Sequence, residues 1–447
     1  MPMQLWEKGG KLNKLTGDFT SGKDRDLDLR LAPYDVIGTI AHVRMLEKTG
    51  LISKDELFSF ETELKKIYIE TIEGNFVIED EVEDVHSQVE IMLTRALGNT
   101  GKKIHTARSR NDQVLLDIKL YSREKIKEVV AKSLKLFDTL IKLSDKYKDI
   151  LMPGYTHMQI AMPSSFGLWF GAYAESLAED MIILQSAYRI VNQNPLGSAA
   201  GYGSSFPVDR QMTTELLGFE SMHINAVNAQ MNRGKMEKTV AFALGSMGST
   251  LSRMAMDICT FSGQNFGFII LPDEFTTGSS IMPHKKNPDI FELIRARGNK
   301  LQSLSNEISL ICSNLPSGYH RDYQLIKENF IPAFDILINI LEISDTVIDK
   351  ISVNSNIAEN DLYSNLFSVE EVNKLVISGM PFREAYRKIA EKIADGSYRP
   401  GIRPDYTHEG STGNLCNDKI VEKMKSVTDE FNFGIPENAI SSLLAQS

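Results

Sequence analysis

The chain is 447 residues long, 42% hydrophobic and 24% charged, with a net charge of -10. This length buries a large core and exceeds one compact unit, and the acidic balance argues against a nucleic-acid partner without excluding an anionic substrate, since local basic residues set the field inside a cleft. Three widely separated cysteines, Cys259, Cys312 and Cys416, fit a reducing compartment and no metal cluster. With no apolar leader and no apolar run of membrane-spanning length, the expectation is a cytoplasmic protein with no membrane partner.

In chain order, the polar stretch from Met1 to Asp28, with Gly9, Gly10, Gly17 and Gly22, reads as an extended arm. Apolar residues at helical spacing predict helices over Ala32–Leu46, Ser53–Ile72 and Val82–Leu97, and no proline lies between Pro33 and Pro153, which favours a largely helical chain. Asp84-Val85-His86 falls in the third helix, where Glu79, Asp80, Glu81 and Glu83 also suit a plain solvated face. Next comes His105-Thr106-Ala107-Arg108-Ser109-Arg110-Asn111-Asp112-Gln113-Val114. Its two arginines beside hydroxyl and amide groups suit a dicarboxylate, and Ser109 to Gln113 also reads as a helix cap with its first turn. A long amphipathic helix follows from Val114 until Pro153 stops it, and the loop Pro153-Gly154-Tyr155-Thr156-His157-Met158-Gln159 presents a threonine beside a histidine.

The middle of the chain predicts long helices over Ser164–Asn192, Ala226–Gly263, Pro288–Asn314 and Phe330–Ile351, the last with Pro332 in its first turn. Ala241, Ala243, Gly245, Gly248, Ser249, Ala255 and Ser262 give the second of these a small-residue surface suited to close packing in a bundle. Pro195-Leu196-Gly197-Ser198-Ala199-Ala200-Gly201 is glycine-rich, but no strand precedes it and no G-K-[ST] follows, so a nucleotide site is rejected.

Thr277 to Asp289 runs T-G-S-S-I-M-P-H-K-K-N-P-D between helical runs. Gly278 allows a sharp turn that would point successive N–H groups into one anion-sized concavity, and Pro288 would open the next helix with Lys285 and Asn287 near its positive end. Beyond Pro316 lies Gly318-Tyr319-His320-Arg321-Asp322-Tyr323-Gln324-Leu325-Ile326-Lys327-Glu328. From about Ala358 onward, shorter segments broken by Gly379, Pro381, Gly396, Pro400 and Pro404 read as a small separate domain.

The Thr277–Asp289 loop resembles the G-S-S-x-M-P-x-K-x-N-P loop of the fumarase, aspartase and argininosuccinate lyase superfamily. The Thr106–Val114 run resembles the T-x-R-S-R-N-D-Q-V element of its argininosuccinate lyase branch. Similar agreement is found at Gly154–Gln159 (G-Y-T-H-x-Q), at the Pro195 loop, at Tyr319–Lys327 (Y-x-R-D-x-Q-x-x-K) and at Gly379–Ala385. The resemblance implies an all-α, three-domain chain (1–110, 111–357 and 358–447) whose central long-helix bundle assembles into a homotetrameric core with sites shared between subunits.

By the same resemblance the reaction is elimination. A proton leaves the carbon beside a succinyl carboxylate of argininosuccinate, the guanidinium nitrogen departs, and arginine and fumarate are released. Ser279, His157 and Lys285 carry over as catalytic residues, and Arg110, Asn111, Thr156, Asn287, Tyr319, Gln324, Lys327 and His86 as substrate-binding ones. A serine base needs a cationic pocket to populate its alkoxide, and a histidine near neutrality serves proton transfer in either direction, so Ser279 as base with His157 serving the leaving nitrogen, and the reverse, both stand. No metal or organic cofactor is implied. The chain departs from the branch at His284, where glutamine is usual, at Ala226–Lys235, and at Phe19–Asp28, where an insertion leaves Ser21 as the equivalent of a substrate serine. The alternatives are a sister lyase acting on adenylosuccinate or aspartate, and a catalytically silent structural member.

Overall fold

The computed structural model describes residues 14–399 and 406–445. Two short helices, α1 (Lys14–Ser21) and α2 (Asp24–Asp28), lead into α3 (Ala32–Lys48), α4 (Lys54–Ile72) and α5 (Val85–Leu97). The long α6 (Arg110–Lys146) is followed by strands β1 (Leu151–Thr156) and β2 (Gln159–Ser165) and by α7 (Phe166–Val191). Two short helices, α8 (Arg210–Leu216) and α9 (Ala226–Met231), precede α10 (Lys235–Phe261), α11 (Asp289–Ile311) and α12 (Ile326–Ile348). The chain closes with α13 (Ser368–Ile377), α14 (Phe382–Ala394), α15 (Asn417–Thr428) and α16 (Gly434–Ala445).

Helices α6, α7, α10, α11 and α12 pack around one large core that includes Phe170, Leu251 and Phe334. Helices α3 to α5 enclose a second core around Val36, Phe60, Leu64 and Val89, and α13 and α14 share a small one made by Val372, Ala385 and Ile389. The small residues of α10 act as their spacing predicts. A Cβ added at Gly248 would sit 3.0 Å from the Gly298 carbonyl oxygen, and one at Gly245 would sit 3.2 Å from the Leu301 carbonyl oxygen, so α10 and α11 meet backbone to backbone. Among the described residues no helix is long and apolar enough to cross a membrane.

The structure corrects the sequence reading in four places. The arm is helical, not extended, over its described part: α1 and α2 are held by tertiary contacts, among them the ion pair of Arg30 with Asp335 at 2.6 Å just beyond α2. The helix expected over Ala226–Gly263 is broken, because Gly234 takes a left-handed conformation (φ 76) and the Arg233 guanidinium turns to Glu237 and to the Tyr323 carbonyl. Helix α12 starts at Ile326, so Pro332 lies inside it instead of in its first turn, and the bond its N–H would have made is lost.

The fold also departs from all-α at a β-hairpin. Pro153 pairs with Pro163 in antiparallel β1 and β2, and the tip residues His157 and Met158 both have positive φ, as a tight two-residue turn requires. Two-residue pairings join Gln193–Asn194 to Ser221–Met222 and Ile269–Ile270 to Ser352–Val353.

The α10–α11 contact leaves no room for a methyl group at Gly298, where an added Cβ would run into the Gly248 carbonyl oxygen. Gly298→Ala is expected to destabilise the fold by about 1–3 kcal/mol, seen as a lowered thermal denaturation midpoint.

Candidate active site

The first turns of α5, α6 and α12, together with α2, converge on a cleft lined by Asp24, Asp28, Glu83, Asp84, His86, Arg110, Asn111, Val114, Tyr319, Arg321, Gln324 and Lys327. Local chemistry puts each helix start there. Ser109 caps α6, accepting from Asn111 N while Asp112 accepts from Ser109 N at 2.8 Å, so Arg110 and Asn111 project from a fixed first turn. Asp84 caps α5 by accepting from Ser87 N at 2.8 Å, which fixes His86 between them in the first turn. Arg233 holds the Tyr323 carbonyl at 2.9 Å and so anchors the turn that carries Tyr319, Gln324 and Lys327.

The cleft holds cations and carboxylates in pairs. Arg110 reaches Glu83 (3.2 Å) and Asp84 (3.0 Å) and donates to Ser87 Oγ (2.7 Å). Arg321 reaches the other oxygen of Glu83 at 3.0 Å. Lys327, 4% exposed, lies between Asp28 (2.7 Å) and Asp24 (2.8 Å). Burial pushes the Asp24 carboxyl up to about 6, with the charge of Asp28 adding to it and Lys327 pulling against it. The side-chain amide of Asn111 lines the cleft and makes no hydrogen bond among the described residues.

His86 is enclosed by two buried carboxylates, with Nδ1 2.8 Å from Asp35 and 3.6 Å from Asp117. Burial lowers its pKa, but the two aspartates outweigh that and raise it to about 9, so the ring is an imidazolium at neutral pH. Asp35, His86 and Asp117 bring one ligand-type atom each within 4.8 Å of one another.

Sequence reading missed Asp24, Asp28, Glu83 and Arg321 as cleft residues; Arg321 was within reach, standing in the same Tyr319–Lys327 run as its neighbours. It also missed Asp112, whose Oδ2 accepts from Gly197 N (3.0 Å) and Ala199 N (2.9 Å) and so ties the Pro195 loop to the start of α6. Of the two arginines expected to grip a dicarboxylate, Arg110 alone lines the cleft. Arg108 follows the left-handed Ala107 and turns to Thr39 Oγ1 at 2.9 Å. The side chain of Ser21 lies outside the described residues.

The remaining site residues are elsewhere. Thr156 and His157 are exposed at the hairpin tip, beyond the far end of α6 from Asn111, a helix of 37 residues spanning about 55 Å. Ser279, Lys285 and Asn287 follow the far end of α10 from Arg233, a helix of 27 residues and about 40 Å. The two groups share that end of the bundle, where Tyr155 packs on Phe266 and Phe268 with ring centroids at 5.5 and 6.2 Å.

The serine loop is closed at its base, where Asn287 N donates to the Thr277 carbonyl at 2.8 Å and Thr277 N to that of Asn287 at 3.2 Å. Gly278 is not left-handed; the turn is made instead by Ser279 Oγ accepting from Ile281 N (3.4 Å) and Met282 N (3.2 Å). These N–H groups therefore turn onto the serine oxygen, and not into the open anion-sized concavity expected from Gly278. Lys285 is exposed, and the neighbouring Lys286 pairs with Asp273.

A family model described as lyase matches residues 7–302. The chain is 58% identical over 446 residues to the argininosuccinate lyase of Phocaeicola vulgatus, covering 100% of both chains. It is 40% identical over 392 residues to that of Thermotoga neapolitana, covering 88% of this chain and 98% of the relative. Among solved structures it resembles EDDS lyase in complex with formate (TM-score 0.76, 20% identity, 97% and 94% covered) and the class II fumarase of Schistosoma mansoni (TM-score 0.72, 15% identity, 96% and 97% covered), which supports the fold. Fold and sequence together define a lyase of the fumarase-like helical class. Within that class the chain belongs to the argininosuccinate lyase family.

The His86 arrangement carries a pH signature. A group held at about 9 in the fold and near 6.5 when unfolded contributes on the order of 3 kcal/mol, fully present below pH 6.5 and lost as pH rises through 9. Thermal denaturation across pH 6–10 is expected to show this loss, and Asp35→Asn, which removes the largest of the raising charges, is expected to move it to lower pH.

Proposed function

We propose that the chain cleaves argininosuccinate to arginine and fumarate, the closing step of arginine synthesis, in the cytoplasm, and that each active site joins the cleft of one subunit to the hairpin and serine loop of others in a homotetramer. The observation that carries the shared site is the separation just described. The cleft has fixed cations and the unpaired Asn111 amide for a multiply charged substrate, and its carboxylates are engaged with Arg110, Arg321 or Lys327. The opposite end of the bundle offers a hydroxyl, a histidine and an amide on exposed loops with nothing to bind between them. An antiparallel arrangement of subunits along the bundle brings one kind of end to the other. Exposed Phe242 on α10 and Leu293 and Leu310 on α11 give that bundle an apolar outer surface for such packing.

In the assembled site Arg110, Asn111, Tyr319, Gln324 and Lys327 hold the charged ends of the substrate, and the His86 imidazolium adds a fixed positive charge. Thr156 and Asn287 complete its binding from the neighbouring subunits. Ser279 takes the proton from the succinyl carbon beside a carboxylate. Its oxygen already faces the N–H groups of Ile281 and Met282, and with Lys285 brought in these donors favour the alkoxide a serine base requires. The electron pair left on carbon spreads into the carboxylate as an aci-anion and then forms the double bond of fumarate as the carbon–nitrogen bond breaks. His157, strained at the hairpin tip but open to solvent, supplies the proton to the departing guanidino nitrogen.

Fumarate release followed by ultraviolet absorbance tests this directly. Ser279→Ala is expected to lower kcat on argininosuccinate by about a hundredfold or more, and adenylosuccinate and aspartate are expected to give no product. Mixing subunits tests the sharing: Asn111→Leu and Ser279→Ala, each strongly impaired alone, are expected to regain activity well above that of either variant when unfolded and refolded together. A site made within one chain would regain none.

A further inference from the structure

Three donors of the cleft are held by one short segment, residues 20 to 28. The Thr20 carbonyl accepts from Gln324 Nε2 at 2.7 Å and from an Arg321 nitrogen at 2.9 Å, while Asp24 and Asp28 hold Lys327. The two aspartates are not equivalent. Asp28 is 2% exposed and also accepts from Val85 N at the start of α5 (3.4 Å), so it is built into the framework. Asp24 sits in the first turn of α2 with 17% of its side chain exposed, and Lys327 is its partner. Two carboxylates on one buried ammonium leave an excess negative charge where water is scarce, an arrangement that favours releasing the more exposed of the two.

We propose that Asp24 is a stand-in for a carboxylate of the substrate. On binding, a carboxylate of argininosuccinate replaces Asp24 on Lys327 Nζ, Gln324 and Arg321 leave the Thr20 carbonyl, and the α1–α2 segment moves off the cleft. Asp28 stays in place as the positioning partner of Lys327. The exchange puts one carboxylate where another was, so the charge around Lys327 is conserved and no ion is left buried without a partner. Because the segment competes with substrate, it weakens apparent affinity by the factor by which the closed arrangement outweighs the open one. The inference rests on the assignment of Gln324 and Lys327 to substrate binding.

Steady-state kinetics of the full-length protein on argininosuccinate, with hydrogen exchange on residues 14–29, test it. Asp24→Asn is expected to lower KM at least threefold while kcat changes less than twofold, a split that a merely structural aspartate would not produce. In the wild type, saturating arginine plus fumarate is expected to speed amide exchange across α1 and α2. A raised KM in Asp24→Asn would mean that Asp24 itself holds the substrate, and that result, an unchanged KM, or exchange that slows or stays constant overturns the proposal. Lys327→Met separates this from the site assignment: a large rise in KM keeps the assignment whatever Asp24 does, and an unchanged KM removes both.

Discussion

A helix cannot bring its own two ends together, and the expected site residues of this chain lie at the two ends of long helices. Helix α6 starts with Arg110 and Asn111 and leads to the hairpin that presents His157; α10 starts beside the cleft turn and leads to the loop that presents Ser279. With α10 and α11 locked backbone to backbone through Gly248 and Gly298, the bundle behaves as a rigid strut. The separation of the cleft residues from the hairpin and the serine loop is thus a property of the fold.

Electrostatics sets the character of each half. The cleft is not a bare cationic pocket: Glu83 bridges Arg110 and Arg321, Asp24 and Asp28 share Lys327, and Asp35 and Asp117 enclose His86. Such pairing keeps buried cations from standing alone. The far end follows the opposite plan. His157 is exposed and Ser279 half-buried, each on a turn at the surface.

Much of the candidate site was legible because its residues sit in short runs with turn or cap chemistry. Ser109 to Gln113 read correctly as a cap and first turn, and Tyr319, Gln324 and Lys327 all reach one cleft as their shared run suggests. Asp24, Asp28, Glu83 and Asp112 were not legible, since an acidic residue on a polar stretch looks the same in sequence whether it faces water or a buried lysine. The arm misread for the same reason: nothing within Lys14 to Asp28 demands a helix, and contacts with residues some three hundred positions later supply it. The break at Gly234 was hidden by apolar periodicity that runs on across it, although left-handed glycine is a common device for such breaks.

The sequence by itself determined the helical class, the close-packing surface of α10, the membership of each functional run and the kind of chemistry those runs can perform. These depend on local spacing and residue type, which a linear reading preserves. Only the tertiary structure decided which runs meet. It placed six of the expected residues in one cleft, sent Arg108 away from it, left Thr156, His157, Ser279, Lys285 and Asn287 at the opposite end, and gave Lys327 two carboxylate partners from the amino-terminal segment. Those outcomes turn on helix length and on contacts between distant parts of the chain, quantities that no local pattern encodes.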